Sequence, residues 1–479
     1  MSIKQQAAKG VMWNTIERFS SQGIQFVLTI VIARILSPDD YGLVAMLSIF
    51  MAIAQTLIDS GFGNALIQKK DRDEADYSTT FYFNILVSSF IYLILFLMAP
   101  WIATFYSQPT LISITRVFGL VLVINSFSIV QQARLTVVLD FKKQAFASLL
   151  SVVAGGAVGV WMAYHDFGVW TLVWQALISA VCRSLVLWIY ARWMPHWLFS
   201  WTSFRSLFSF GSKIMLSAML HTIYTNMYSL VVGKVFNAVE LGYFNRAYTL
   251  GQFPVQNFSN IVFKVVYPIQ CRYQNDKEKF NYLFVNSLRL SCFFIFPLMT
   301  GIVILAGPLV QILLTDKWLP IVPLLQIVCI AQMWDPVMRL NASVLDATGR
   351  SDYRLYSEIL KKVVAFAILF LSIPFGIRVM CVGLVLYSFA DMVIIIGYSR
   401  KITGIGYRRQ FRSILPFTLL AAGAGGLTWI VLRCISSLPD LLQIAIGSII
   451  GVVSYGIGAY LFKFPEWEMI YSKIKNYKR

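Results

Sequence analysis

Apolar stretches of about twenty residues follow one another along almost the whole chain, separated only by short polar breaks. Each stretch is long enough to cross roughly 30 Å of hydrocarbon as a helix. The alternating segments of about ten residues that build a membrane β-barrel are absent from the sequence. Hydrophobic residues make up 58% of the chain and charged residues only 13%, which places it well outside the composition of soluble domains. The sequence therefore predicts an all-α, multi-pass membrane protein.

The apolar stretches divide into about fourteen predicted transmembrane helices. These cover residues 11–35, 41–66, 78–105, 111–136, 144–164, 168–190, 206–233, 241–268, 281–306, 319–345, 355–374, 377–399, 411–434 and 439–462. The seventh, eighth and tenth contain most of the internal polar residues. No soluble domain fits between the spans, so we expect the helices themselves to form the functional site.

Positive charges gather on alternate loops. One set of loops is rich in Lys and Arg, whereas loops such as "SPDDYG" and "YSQPT" have neither. By the positive-inside rule the basic set is cytoplasmic. Both chain ends are basic, so we expect both termini in the cytoplasm and an even number of spans. The net charge of +18 is thus explained by membrane topology, and we expect no nucleic-acid partner.

The chain contains an internal repeat of about two hundred residues. "ARILSPDDYG" at 33–42 recurs as "GKVFNAVELG" at 233–242, and "RLTVVLD" at 134–140 recurs as "RLNASVLD" at 339–346. Because each repeat holds six spans, both halves run in the same direction through the membrane. The predicted divisions are an N-terminal six-helix lobe at 1–200, a C-terminal six-helix lobe at 201–400, and two additional helices with a basic tail at 401–479.

The repeated stretch reads locally as the start of a helix. Ser37 and Asn237 are suitable N-cap residues, and Asp40 and Glu240 follow three residues later, in capping-box position. We therefore expect these four residues to be structural caps.

Ionisable side chains also lie inside the predicted spans, where each costs at least about 2.5–3.5 kcal/mol without a partner or a watery cavity. Bases outnumber acids there, which predicts a positively charged cavity between the lobes, suited to an anionic passenger. The predicted substrate-binding cations are Arg18, Lys213, Arg246 and Lys264, and further cavity or coupling residues are Glu17, Asp59, His221 and Asn226. The alternative is that acids and bases pair to lock helices together, as the i,i+4 spacing of Asp335 and Arg339 suggests.

Motifs for catalysis and metal binding are missing from the sequence. No GxxxxGK[ST] or GxSxG stretch occurs, and the three histidines show no metal-ligand spacing. We therefore expect no enzyme activity, no metal and no cofactor.

Several stretches resemble a known family. "IARILSPDDYGLVAM", "IDSGFGNALIQKKD" and "FGVWTLVWQALI" look like the polysaccharide-exporter, or O-antigen (Wzx-type) flippase, branch of the multidrug/oligosaccharidyl-lipid/polysaccharide superfamily. "LGYFNRAYTL" and "DKWLPIVPLLQI" strengthen the resemblance, which runs from about residue 10 to residue 400 and weakens in the last two helices.

The resemblance implies two six-helix lobes in a V around a central cavity, with alternating access. It also implies a polyprenyl-diphosphate-linked oligosaccharide as cargo, moved from the cytoplasmic to the outer leaflet for surface polysaccharide or lipopolysaccharide biosynthesis. The bacterial inner membrane, its lipids and other polysaccharide-assembly proteins are the expected surroundings. Alternatives are a multidrug or cation antiporter, a lipid II flippase, and a membrane polysaccharide polymerase or ligase, although a polymerase or ligase would need a sizeable external loop.

Overall fold

The structure is a computed structural model that describes residues 3–59, 62–69 and 71–468. The described residues form helices joined by short connections and contain no strand. They cluster into two compact units, Met1–Gly242 and Tyr243–Arg479. The all-α fold class predicted from the apolar stretches is confirmed.

The first unit contains ten helices among its described residues, and an eleventh begins at its end. The helices are α1 (Ile3–Ile35), α2 (Pro38–Asp59), α3 (Phe62–Gln68), α4 (Glu74–Tyr106), α5 (Leu111–Phe118), α6 (Leu120–Ser126), α7 (Ile129–Val137), α8 (Phe141–Tyr164), α9 (Trp170–Ala191), α10 (Trp201–Val235) and α11 (Ala238–Arg272). Helix α10, which belongs to the predicted C-terminal lobe, packs against α2 within this unit. The division at residues 200 and 400 describes the repeat and stays a prediction.

The second unit continues from α11 through its described residues with seven further helices. They are α12 (Lys277–Leu314), α13 (Ile321–Gln332), α14 (Asp335–Ala347), α15 (Ser351–Ser372), α16 (Ile377–Thr403), α17 (Tyr407–Cys434) and α18 (Asp440–Leu461). Two short 3-10 turns, Asp316–Trp318 and Ile373–Phe375, precede α13 and α16.

Each predicted span corresponds to helical structure in the described residues. Ten stretches there are long and apolar enough to cross a membrane, counting 111–137 and 321–347 as one span each. Helices α1, α10, α11 and α15 are not among these ten; in α1 the described residues form a shorter apolar stretch, Ser20–Ile35. The polar seventh and eighth spans, α10 and α11, are thus outside the ten, whereas the tenth is apolar enough.

Small residues determine the packing in the first unit. Helix α8 lies against both α9 and α1, and three glycines line these contacts. A Cβ on Gly155 would lie 1.9 Å from the Ser179 hydroxyl, and one on Gly156 would lie 2.2 Å from Leu28. Close helix approach through glycine is the usual packing mode in membranes, where hydrophobicity does not drive helices together.

The second unit places the two C-terminal helices against its long central helix. Both α17 and α18 pack on α12. Arg289 of α12 donates two hydrogen bonds to Glu466, at 2.6 and 3.0 Å, and its guanidinium lies 5.2 Å from the centre of the Phe417 ring. This bidentate pair fixes the segment that follows α18 to the rest of the unit.

Candidate functional site

The repeated stretch begins a helix in both copies. The Ser37 backbone N–H and hydroxyl donate to the Asp40 carboxylate at 2.9 and 2.6 Å, and the Asp40 N–H donates to the Ser37 hydroxyl at 3.2 Å. This reciprocal arrangement is a capping box at the start of α2. At the start of α11 the Glu240 N–H donates to the Asn237 side-chain oxygen at 2.8 Å, which is an N-cap bond.

The two copies also contact each other through their glycines. A Cβ on Gly42 would lie 1.7 Å from the Ala238 carbonyl oxygen, and a Cβ on Gly242 would lie 2.1 Å from the Pro38 carbonyl oxygen. Pro38 and Ala238 hold the same position in the two copies, as do Gly42 and Gly242. Each copy therefore supplies the glycine that admits the backbone of the other.

The repeated base has a different environment in each copy. Lys234, in the last turn of α10, places its ammonium 2.5 Å from the Phe105 carbonyl oxygen and 4.5 Å from the centre of the Phe105 ring. It thus stabilises the carboxyl end of α4, where the helix dipole favours a cation. Arg34, at the same position of the first copy, is exposed.

Helices α2 and α10 are joined by a hydroxyl contact next to two of the predicted polar residues, His221 and Asn226. The Thr56 and Thr222 hydroxyls are 3.0 Å apart and join the two helices. His221 is exposed beside Thr222, and the Asn226 side chain donates to the Thr222 backbone oxygen at 2.9 Å. A polar surface therefore runs along this part of α10.

Asp59 is the last residue of α2 and has an exposed side chain. Its carboxylate accepts a hydrogen bond from Gln55 at 2.8 Å. Arg183 of α9 donates to the side-chain oxygen of Gln132 at 3.1 Å. The hydrogen-bond acceptor of this arginine in the structure is thus a neutral amide oxygen.

The two predicted cations of α11 have opposite environments in the second unit. Lys264 is exposed and forms no ion pair with any residue that the structure describes. Arg246 is buried, with only 6% of its surface exposed, and its guanidinium lies 5.4 Å from the centre of the fully buried Trp318 ring. Lys264 is therefore accessible to a ligand in this conformation, whereas Arg246 is covered.

Acids of the second unit are largely matched by bases. Asp335 accepts from Arg339 at 2.8 Å and from the Ser259 hydroxyl at 2.8 Å, and Arg339 also donates to the Asn260 side-chain oxygen at 3.2 Å. The alternative of structural pairing thus holds for Asp335 and Arg339. This network ties α14 to α11.

Two further ion pairs of this unit were not predicted from the sequence. Lys361, only 4% exposed, lies 2.7 Å from Asp391, and Arg289 pairs with Glu466 at 2.6 Å. Lys361 has a local signal, since Glu358 stands three residues before it on α15, 3.5 Å away. Glu466 has none, because it lies 177 positions from its partner.

The side chains of Glu17, Arg18 and Lys213 lie outside the part of the structure that is described. Their helices, α1 and α10, are described. Within the described residues, no group of three or more His, Cys, Asp and Glu side chains is arranged to hold a metal ion. The charges that the structure does place leave bases without matching acids, most clearly Lys264.

This fold is that of a known class of helical membrane transporters. The chain superimposes on a lipid II flippase solved in an inward closed conformation with a TM-score of 0.73 at 14% identity, covering 94% of this chain and 98% of that one. A multidrug resistance transporter in an inward-facing conformation gives a TM-score of 0.62 at 16% identity, covering 82% and 98%. The chain therefore shares the fold of these two proteins.

The family follows from the sequence comparison. Residues 31–323, more than half of the chain, match the polysaccharide biosynthesis protein family, and the chain belongs to that family. The lipopolysaccharide biosynthesis protein WzxC of Escherichia coli is 25% identical over 88% of this chain and 86% of its own length. The teichuronic acid biosynthesis protein TuaB of Bacillus subtilis is 26% identical over 74% of each chain. The resemblance inferred from the sequence is confirmed.

Proposed function

We propose that this protein is a flippase that moves a polyprenyl-diphosphate-linked oligosaccharide from the cytoplasmic to the outer leaflet of the bacterial inner membrane. Membership of the polysaccharide biosynthesis protein family supports the cargo class. A relative named as a succinoglycan biosynthesis transport protein, from Rhizobium meliloti, supports transport as the activity. The membrane-spanning helices supply the path that a polar glycan and its diphosphate need.

Exposed Lys264 without a carboxylate partner is the observation that carries this proposal. The acids that could neutralise bases in the second unit are engaged elsewhere, Asp335 by Arg339 and Asp391 by Lys361. An accessible lysine inside a membrane helix suits an anionic ligand. Its ammonium would replace part of the hydration of a phosphate with charge-assisted hydrogen bonds.

Arg18 and Lys213 complete the proposed phosphate-binding set, and Arg246 joins it where a conformational change uncovers it. Glu17 and Asp59 remain candidates for ion coupling, and His221 and Asn226 for contacts with sugar hydroxyls. The reciprocal contacts at Gly42 and Gly242 support the internal repeat. Alternating access around a central cavity between the two halves of the repeat is part of the proposal.

The same proposal assigns both termini to the cytoplasm on the positive-inside pattern, and it assigns no catalytic step to the chain. Membrane lipids and other polysaccharide-assembly proteins are its proposed partners. A cationic-drug antiporter shares the fold, but the surplus of bases disfavours a cationic passenger.

The decisive experiment compares variants that each lose one positively charged side chain, all expressed in the same strain. Lys264→Ala should reduce export of surface polysaccharide about tenfold or more, because losing a hydrogen bond to a charged group costs about 1.5–3 kcal/mol. Lys277→Ala is the matched control, since Lys277 is an exposed lysine at the start of α12; its export should equal wild type at equal protein level on an immunoblot. Arg18→Ala and Lys213→Ala should behave like Lys264→Ala.

Deleting the gene identifies the cargo. Lipid-linked oligosaccharide should accumulate on the inner face of the membrane, and its sugar composition would name the glycan. If lipid II accumulated, or if only susceptibility to cationic drugs changed, a lipid II flippase or a drug antiporter would replace the proposed function.

A further inference from the structure

The segment 192–201, which connects α9 to α10 and includes the first residue of α10, exposes an unusual run of large apolar side chains. Trp197 is 94% exposed and Met194 is 75% exposed. The exposed apolar members of the segment, here called the loop face, are Met194, Trp197, Leu198, Phe199 and Trp201. Unlike the lipid-facing residues of the long helices, most of these side chains belong to a connection that is not helical.

The opposite side of the segment is anchored to α4. The His196 N–H donates to the Ser78 hydroxyl at 3.1 Å, and the Ser200 N–H donates to the Thr79 hydroxyl at 2.9 Å. Both hydroxyl residues are fully buried. The buried Trp193 adds a bond from its indole N–H to Glu74 at 2.6 Å. These bonds hold the segment in one orientation and leave its apolar side exposed.

These bonds reduce the cost of placing the segment next to lipid. Irregular backbone facing hydrocarbon is costly because its N–H groups find no acceptor there. Here two N–H groups of the segment are already paired with side chains of α4. The segment therefore suits the headgroup and upper acyl region, where remaining polar groups reach water while tryptophans enter the lipid.

The positive charge of the segment indicates which class of lipid it favours. Arg192 and Arg205 are exposed on either side of the loop face, and residues 192–205 contain no Asp or Glu. Helix α9, which is apolar and long enough to span the membrane, ends one residue before Arg192, so the segment begins at the end of a span. Guanidinium groups at that level meet lipid phosphates and favour anionic lipids.

We infer that the loop face lies in the lipid headgroup layer and that Arg192 and Arg205 bind the phosphates of anionic membrane lipids. The leaflet is the cytoplasmic one if the positive-inside assignment is correct. This binding surface is separate from the proposed substrate site and does not depend on the cargo. Its role is to hold the first unit at a fixed depth and to make its stability sensitive to the charge of the surrounding lipid.

The first test measures depth in the full-length protein reconstituted in nanodiscs. The non-buried cysteines Cys182, Cys271 and Cys434 are replaced by serine, and a spin label is attached at Trp197→Cys or, separately, at Leu198→Cys. The control label is at Asp71→Cys, an exposed loop position. Labels at 197 and 198 should relax faster with oxygen, which concentrates in lipid, than with a water-soluble nickel chelate. The label at 71 should show the reverse. Equal access of nickel at all three positions would overturn the inference.

The second test concerns lipid charge. Adding phosphatidylglycerol to phosphatidylcholine nanodiscs should raise the unfolding midpoint of the wild type, and Arg192→Gln with Arg205→Gln should lose most of that rise. The control pair is Arg408→Gln with Arg409→Gln, which removes the same charge from exposed positions in the first turn of α17 and should keep the rise. If the Arg192 and Arg205 variant kept the full rise, the arginines would not bind anionic lipid. If the nickel chelate reached the labels at 197 and 198, and an added soluble protein blocked that access, the loop face would be a protein docking site. The lipid assignment would then be wrong.

Discussion

Single glycines set the distance between the N-terminal ends of α2 and α11. Gly42→Ala would place a methyl group 1.7 Å from the Ala238 carbonyl oxygen, so the helices must separate. We expect a loss of stability of about 3 kcal/mol, at the upper end for overpacking, seen as a lower unfolding midpoint of the purified protein. Gly301→Ala is the control, because nothing lies within 4 Å of its added Cβ. Equal midpoints for the two variants would contradict the close contact.

A second residue-level prediction concerns the buried charge pair of α15 and α16. Lys361→Ala leaves Asp391 without its 2.7 Å partner, and breaking a buried pair costs about 3–5 kcal/mol. Lys361→Met combined with Asp391→Leu should recover most of the lost unfolding midpoint, since both charges are then gone. Lys362→Ala should change it little, because Lys362 is more exposed and lies 3.5 Å from Glu358. A double variant as unstable as Lys361→Ala would show that the pair contributes more than charge compensation.

The sequence carries the most local information at the starts of helices. Ser37 and Asp40 are three residues apart, so their capping bonds depend on the backbone of one turn and little else. The ten apolar spans are predicted from equally local information, because each one needs its own run of apolar residues. By contrast, the meeting of Gly42 with Ala238 and of Arg289 with Glu466 depends on how distant helices pack. No local pattern encodes such contacts, although the repeat did mark Gly42 and Gly242 as equivalent.

The capping box of α2 gives a prediction for that helix. Asp40→Lys removes the acceptor of both Ser37 bonds and places a positive charge at the helix N-terminus. We expect a loss of at least about 1 kcal/mol, measured as a lower yield of monodisperse protein in fluorescence-detected gel filtration. Asp39→Lys makes the same charge change one residue earlier without removing the Asp40 acceptor. If Asp39→Lys lowers the yield as much, helix-dipole charge and not capping is responsible.

At the scale of the whole molecule, the proposed export of an anionic lipid should respond to the membrane potential. With the cell interior negative, each negative charge moved outward gains about 2.3 kcal/mol per 100 mV. In proteoliposomes, a valinomycin-imposed potential that is negative on the cargo side should speed translocation of the lipid-linked oligosaccharide, and the opposite potential should slow it. Protein-free liposomes under the same potential correct for leakage of the lipid.

Valinomycin and nigericin together distinguish export driven by the membrane potential from export coupled to a proton gradient. Nigericin collapses a pH gradient without imposing a potential, so it should leave the rate unchanged if the charge of the cargo alone drives export. A rate that falls when nigericin collapses the pH gradient, while the valinomycin potential is held constant, would instead assign part of the driving force to proton counterflow, with Glu17 and Asp59 as the carboxylates to neutralise next. Asp59→Asn, which keeps a side-chain oxygen able to accept the Gln55 hydrogen bond, would then abolish the response to the pH gradient while leaving the fold intact. Under potential-driven export the same variant should transport at the wild-type rate, because no proton needs to pass through Asp59.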